Sequence, residues 1–306
     1  MARKIIVLVG PTAVGKTEYA IAIAYSIGGE IISADSMQIY KFMDIGSAKP
    51  TPEEAAMAKH YLIDEIDPRE PFSVAEYSRK AKEYIEKVFS HGKVPIISGG
   101  TGLYVNSILY EMDFSGTPGD PDFRREAEHL AELHGNEYLH DMLRERDPAA
   151  ADRIHPNNRK KVIRALEATE NGGQGVRDFK NASIKCEDYE YLLIGLDRPR
   201  EELYDRINRR VDALISKGLS DEVKQLMTMG LSKENISMMG IGYKELIGHF
   251  EGEYDFETAV ELIKRNSRRY AKRQLTWFRR YPDIAWFDVS KQGVEDILDF
   301  IGRHTR

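Results

Sequence analysis

With 306 residues, 42 % hydrophobic and 31 % charged, the chain has a globular composition and length enough for one elaborated domain or two. A single cysteine, Cys186, excludes an internal disulfide and a cysteine-rich zinc site, and eight scattered histidines show no ligand-like pairing. The net charge of −6 argues against a uniformly basic nucleic-acid binder, yet residues 264–280 (KRNSRRYAKRQLTWFRR) hold eight Lys or Arg and no acid, a local anion-binding surface on an acidic body.

Residues 1–30 read as a strand and a loop rather than a signal peptide, and no apolar run of about 18 residues could span a bilayer, so a cytoplasmic protein is expected. Lys4 to Val9 predicts a first strand. It leads into Gly10-Pro11-Thr12-Ala13-Val14-Gly15-Lys16-Thr17 and then a helix. This run fits G-x-x-x-x-G-K-[ST], the phosphate-binding loop. In such a loop backbone N–H groups and a helix N-terminus converge on anionic oxygens. Lys16 adds a full charge, and the Thr17 hydroxyl is placed to hold Mg²⁺.

Glu30 to Ala34 predicts a second strand, ending at Asp35-Ser36-Met37-Gln38. Ligands of open parallel sheets bind beyond the carboxyl ends of strands, which puts Asp35 beside the phosphate loop. It could hold Mg²⁺, act as a general base, or cap a helix. Gln38 offers a donor and an acceptor suited to a base edge. Ser73-Val74-Ala75-Glu76 is a capping box opening a helix to about Ser90. Val94 to Ser98 is a third strand, followed by Gly99-Gly100-Thr101-Gly102. No acid ends that strand, where an NTP hydrolase would often place its Mg²⁺-binding aspartate. Thr101 either caps a helix or donates to an acceptor or diphosphate.

Residues 115–121 read as a linker, the following stretch to about Glu170 as charged helices, and Asn171 to Gly175 as a flexible loop. Tyr191 to Leu196 returns to the sheet, and Ile284 to Val289 is a last strand before a terminal helix. The fold class is therefore α/β: a phosphate-loop parallel sheet flanked by helices (1–112 and 188–306), with an all-helical insertion at 113–187. Arg159, Lys160, Lys161 and Arg164 crowd one helix as either a solvated or a phosphate-contacting face. Arg206 and Arg210, four apart, share a helical face that could clamp a diphosphate. Tyr270, Trp277 and Phe278 interleave with cations, as suits RNA or core packing.

Together GPTAVGKT, DSMQIY, GGTGLY, IHPNNRKKVIRALE, LYDRINRRVD, GIGYKE and RRYAKRQLTWFR resemble the tRNA dimethylallyltransferases, along nearly the whole chain. Val14, Asn158 and Met239 depart from the commonest family pattern. The resemblance is to the bacterial form, for which no C-terminal zinc-finger extension is expected. The resemblance implies transfer of a dimethylallyl group from its diphosphate to N6 of the adenosine 3′-adjacent to the anticodon, with Mg²⁺ as cofactor and a monomer as the working form. It implies a catalytic set of Asp35, Thr101 and Lys16. A diphosphate site would comprise Gly10 to Thr17 and Arg210. RNA contacts would come from Asp35, Ser36, Met37, Gln38, Thr101, Arg124, Arg159, Lys160, Lys161, Arg164, Arg268, Arg269, Lys272 and Arg273.

Three rival readings share these residues. A phosphate-loop small-molecule kinase would turn over ATP and leave the basic stretch without a task. An adenylate isopentenyltransferase would prenylate free nucleotide. A non-catalytic RNA-binding protein would leave Asp35 idle.

Overall fold

A computed structural model describes residues 3–112, 120–170 and 184–305 of the chain. The greater part of the expected linker (115–119) and the loop at 171–175 lie outside the described residues. Two compact units result: Met1–Leu109 with Cys186–Arg306, and Tyr110–Lys185.

In the first unit the chain runs β1 (Lys4–Val9), α1 (Lys16–Ile27), β2 (Gly29–Ser33), α2 (Pro52–Met57), β3 (His60–Tyr61), α3 (Val74–Ser90), β4 (Val94–Gly99) and α4 (Gly102–Leu109). The second unit holds α5 (Pro121–His134), α6 (Asn136–Arg146), α7 (Pro148–Arg153) and α8 (Arg159–Glu170). The first unit then resumes with β5 (Glu190–Asp197), α9 (Arg200–Ser216), α10 (Leu219–Thr228), a 3₁₀ turn at Ser237–Met239, α11 (Tyr243–Phe250), α12 (Phe256–Phe278), β6 (Ala285–Asp288) and α13 (Val294–Thr305).

The sheet has the order β3-β2-β4-β1-β5-β6, and every pairing is parallel. β1 is central, with Val7 level with Ile97 of β4 and Leu193 of β5. Ile5 to Val9 are all buried, because helices cover both faces of a parallel sheet and the strand needs no polar side. Each such aliphatic side chain contributes about 1.5–3 kcal/mol on burial. α1, α9, α12 and α13 supply Ile23, Leu203, Ala271 and Ile297 to one core with Ile6, Leu8 and Ile194. The expected capping box is present: the Ser73 hydroxyl accepts from Glu76 N–H, and Glu76 accepts from Ser73 N–H at 2.7 Å. β3 was not expected from sequence. It is two residues long, too short to show alternation, and it pairs with β2 through Ile31 and Ile32.

The helical unit has its own core, with Leu139, Leu143, Val162, Ile163 and Leu166 buried among small alanines. Two of its helices, α5 and α7, start at aspartate caps followed by proline. Asp120 accepts from Asp122 and Phe123 N–H ahead of Pro121, and Asp147 accepts from Ala150 N–H ahead of Pro148.

Candidate active site

Three neighbouring strands, β2, β4 and β1, deliver three loops to one edge of the sheet. The loop after β1 wraps into α1 through Gly15 at φ 114°, a left-handed conformation that a glycine adopts without strain, with Ala13 at φ 64° before it. Its outward carbonyls are tied down. Arg206 Nε donates to Ala13 O at 3.0 Å and Arg198 Nε to Val14 O at 3.1 Å. Arg206 thus holds the loop from outside rather than joining Arg210 in a clamp. The first-turn amides of α1, those of Lys16 and Thr17, have no carbonyl below them in the helix and remain available to an anion. Lys16 Nζ rests on Pro11 O at 2.8 Å.

Lys16, Thr17, Asp35 and Gln38 line one pocket with Ser33, Ser98, Gly99, Ala20, Ile31, Pro50 and His60. Burial pulls the Lys16 ammonium down to about 8; Asp35 opposes that shift and Arg210 adds to it. Arg210 is itself lowered by burial, with Asp35 opposing. Neither cation forms a salt bridge among the described residues, although both feel Asp35. A desolvated pair of cations with one carboxylate nearby is an anion site, because unpaired buried charge is costly until a counter-charge arrives. The oxygen donors around it, the Thr17, Ser33 and Ser98 hydroxyls and the Asp35 carboxylate, are hard ligands. That set, with a single carboxylate, fits Mg²⁺, which keeps several waters and binds alongside substrate phosphates. No group of three or more His, Cys, Asp or Glu side chains able to cage a metal occurs among the described residues.

The loop after β2 is a run of turns, not a helix, so Asp35 caps none. Its carboxylate instead accepts from Met37 N–H at 2.9 Å and lines the pocket. Thr101 precedes α4, whose Tyr104 and Val105 amides donate to Thr101 O. Its hydroxyl oxygen accepts from Ser36 N–H at 3.1 Å instead of capping that helix, and Thr101 N–H donates to Ala34 O at 3.0 Å. Gly99 is required there: a Cβ would lie 2.2 Å from Ala34 O. Gln38 accepts from Ser33 Oγ at 2.9 Å and donates to Ala48 O at 3.3 Å, which leaves one amide hydrogen for another partner. Met37 packs on Gly240, where a Cβ would stand 2.7 Å from its sulfur. The GIGYKE stretch therefore supports this loop. Glu222 reinforces it, accepting from the Asp44, Ile45 and Gly46 amides at 2.7–3.0 Å and from Tyr243 Oη at 2.8 Å.

α12 lies against both loops. Gln274 accepts from Thr12 N–H at 2.8 Å and donates to Gly100 O at 2.9 Å. Burial, with Asp35 adding, pushes the Tyr270 phenol up to about 12, so at neutral pH it keeps its proton and can act as a hydrogen-bond donor. Phe278 is core, and Trp277 packs where Gly102 has no side chain. The outer face carries Arg269, Lys272 and Arg273, all exposed and without a carboxylate partner among the described residues; Arg273 stacks on Tyr270 at 5.6 Å. Arg268 is committed to Asn208.

In the helical unit, Lys160, Lys161 and Arg164 are exposed and have no acidic partner among the described residues. Arg159 Nε donates to Asn136 at 2.9 Å. Arg124 is engaged in a two-pronged pair with the buried Glu167, Nε–Oε1 3.0 Å and NH2–Oε2 2.7 Å.

Sequence reasoning missed His60, Arg198, Gln274 and the pocket role of Ser33 and Ser98. His60 hydrogen-bonds Ala58 O at 2.7 Å, and burial lowers its proton affinity, so a neutral ring lines the pocket. Gln274 had a signal: it is a polar residue in phase with Ala271 and Phe278 on the buried stripe of α12.

The family model described as IPP transferase matches residues 38–281 of the chain. The tRNA dimethylallyltransferase of Alkaliphilus oremlandii is 51 % identical over 290 residues, 95 % of this chain and 93 % of the relative. A crystal structure of the full-length tRNA isopentenylpyrophosphate transferase from Bacillus halodurans is similar with a TM-score of 0.74 at 43 % identity, over 98 % of this chain and 96 % of that one. A eukaryotic dimethylallyltransferase acting on tRNA is similar with a TM-score of 0.79 at 28 % identity, over 95 % of this chain and 75 % of that one.

Proposed function

The chain belongs to the IPP transferase family, the tRNA dimethylallyltransferases, and on that premise we propose how its pocket carries out transfer to tRNA. The enzyme is a prenyltransferase that modifies tRNA. Its donor is dimethylallyl diphosphate, its acceptor the N6 amine of the adenosine 3′-adjacent to the anticodon, and its by-product diphosphate. The observation that carries this reading is the glycine loop whose Lys16 and Thr17 line one pocket with Asp35, with Arg210 near enough to weaken that lysine's hold on its proton.

An aromatic amine is a poor nucleophile because its lone pair is delocalised into the ring. Asp35 takes the N6 proton as the N6–C1 bond forms, and the C1–O electron pair leaves on the diphosphate. Lys16, Arg210 and the amides at the start of α1 meet the charge that accumulates there. Thr17 would hold Mg²⁺, which, when bound, neutralises part of the diphosphate charge. Thr101 and Tyr270 offer hydroxyl contacts to the incoming adenine, with Gln38 and the Ser36–Met37 backbone beside them. Arg269, Lys272 and Arg273, and separately Lys160, Lys161 and Arg164, supply free positive charge for the RNA backbone.

The deciding experiment incubates unmodified anticodon stem–loop with dimethylallyl diphosphate and weighs the released nucleosides, with ATP and with AMP in parallel tubes. One dimethylallyl unit on adenosine is the expected outcome. Stem–loop-stimulated ADP release would favour a kinase, and efficient prenylation of AMP an adenylate prenyltransferase.

A further inference from the structure

Gln274 is 5 % exposed on the inward stripe of α12. An amide buried among apolar side chains is unfavourable unless its polar atoms are paired. Both are paired, and to loops of different strands. Oε1 accepts from Thr12 N–H at 2.8 Å in the loop after β1, and Nε2 donates to Gly100 O at 2.9 Å in the loop after β4. β1 and β4 are sheet neighbours. Gly100 makes room for this contact, since a Cβ there would stand 2.2 Å from Nε2. The Thr12 amide sits in the run that surrounds the anion, yet it is spent on α12. One loop carries Lys16 and Thr17, and the other carries Thr101.

We propose that Gln274 is a positioning residue for prenyl transfer, a double-ended strut that sets the spacing between the diphosphate-binding loop and the Thr101 loop. This rests on reading the pocket as the prenyl-transfer site. Transfer needs the allylic carbon and the N6 amine near contact distance, and each is placed by one of the two strutted loops. A misplacement of about 1 Å between reacting groups costs on the order of 100-fold in rate.

The test uses the full chain with Gln274→Met, which keeps the bulk and removes both hydrogen bonds, and Gly100→Ala, which drives a methyl into the amide. Melting curves establish that each variant folds. In Gln274→Met the single-turnover rate on an anticodon stem–loop should fall roughly 10- to 100-fold, while stem–loop affinity changes less than about twofold. Inorganic diphosphate, measured by calorimetry, should bind roughly tenfold more weakly, because the loop that holds it has lost its inner tie. Gly100→Ala should reproduce the rate loss. Added to Gln274→Ala it should cost less than about twofold more, since the atom it would strike is gone. Wild-type rate and wild-type diphosphate affinity in Gln274→Met, or simple multiplication of the Gly100→Ala and Gln274→Ala effects, would overturn the strut. If Gln274→Met does not fold, the Gly100 cycle decides. If the wild-type chain binds diphosphate but leaves the stem–loop unmodified, the transfer reading fails, and the diphosphate comparison still judges the strut.

Discussion

Arg210 lies close enough to Lys16 to depress that lysine's hold on its proton, and neither cation has a carboxylate within ion-pairing distance among the described residues. Two like charges gathered in a desolvated pocket oppose folding until an anion joins them. Asp35 offsets only part of that cost, so the arrangement suits an anionic ligand, and a diphosphate carries the charge and the oxygens to serve both.

Arg210→Met should therefore separate stability from function. Removing the guanidinium relieves repulsion on Lys16, so the ligand-free protein should melt a few degrees higher, in the pattern of stability traded for activity. Donor affinity should drop by roughly 10- to 100-fold, the loss typical of a charged hydrogen bond. Thermal melts with and without diphosphate test both halves. A variant that melts lower and binds diphosphate normally would make Arg210 a structural residue.

Lys16 gives the pH dependence. Its folded pKa of about 8 lies below the ordinary 10.5, so between these values the folded protein holds fewer protons than the unfolded chain. Its contribution to stability is unfavourable at neutral pH and is relieved as pH rises through 8. Binding runs the other way, because only the ammonium attracts diphosphate. Compared with Lys16→Met, whose pH profile carries the titration of diphosphate itself, the wild-type advantage in affinity should be constant below pH 7 and shrink by up to about tenfold per unit above pH 8. Calorimetry in buffers of different ionisation enthalpy should show wild type taking up more protons on binding than Lys16→Met at pH 8.5 and no more than it at pH 6.5. An equal excess at both would place the titration elsewhere.

Asp35→Asn keeps the side chain's shape and one acceptor for Met37 N–H while removing the base. The chemical step should slow by on the order of 10²- to 10⁴-fold, with stem–loop affinity nearly unchanged. Rapid-quench single-turnover assays separate the two. A normal rate would remove Asp35 from proton transfer.

How much of this was legible in the sequence depended on how local the cause was. Lys4–Val9 and the loop to Thr17 form one contiguous unit, so strand, loop and helix could all be read. Capping boxes are equally local, and the helix from Ser73 ends at Ser90 as expected. Asp35 was placed at a strand end, but its Asx turn was not, since a capping aspartate and a turn aspartate look alike until the following residues choose helix or turn. Arg206 and Arg210 looked equivalent at four-residue spacing. Only the packing of α9 shows that one holds Ala13 O and the other is buried within the electrostatic reach of Asp35. Gln274 acts across more than 250 residues of sequence, on Thr12, and no periodicity reports such a partner.

The basic residues of the helical unit should divide by their partners. Lys160, Lys161 and Arg164 are exposed and have no acidic partner among the described residues, so each true phosphate contact among them should lower the salt slope of RNA binding by roughly one when neutralised. Their replacement should leave stability within about 0.5 kcal/mol, as for ordinary surface positions. Arg124 differs. Its guanidinium is half exposed, but it faces the buried Glu167, which also accepts from Asp120 N–H at the start of α5. Arg124→Ala should leave that carboxylate short of a partner and cost about 1–3 kcal/mol, discounted from the fully buried case because water reaches the arginine. Arg124→Ala together with Glu167→Gln should recover part of that loss. Measuring the salt slope in the double variant then isolates any contact of Arg124 with RNA. A slope equal to wild type would assign Arg124 to the helical unit's own cohesion, and a slope lower by about one would add it to the RNA-contacting set.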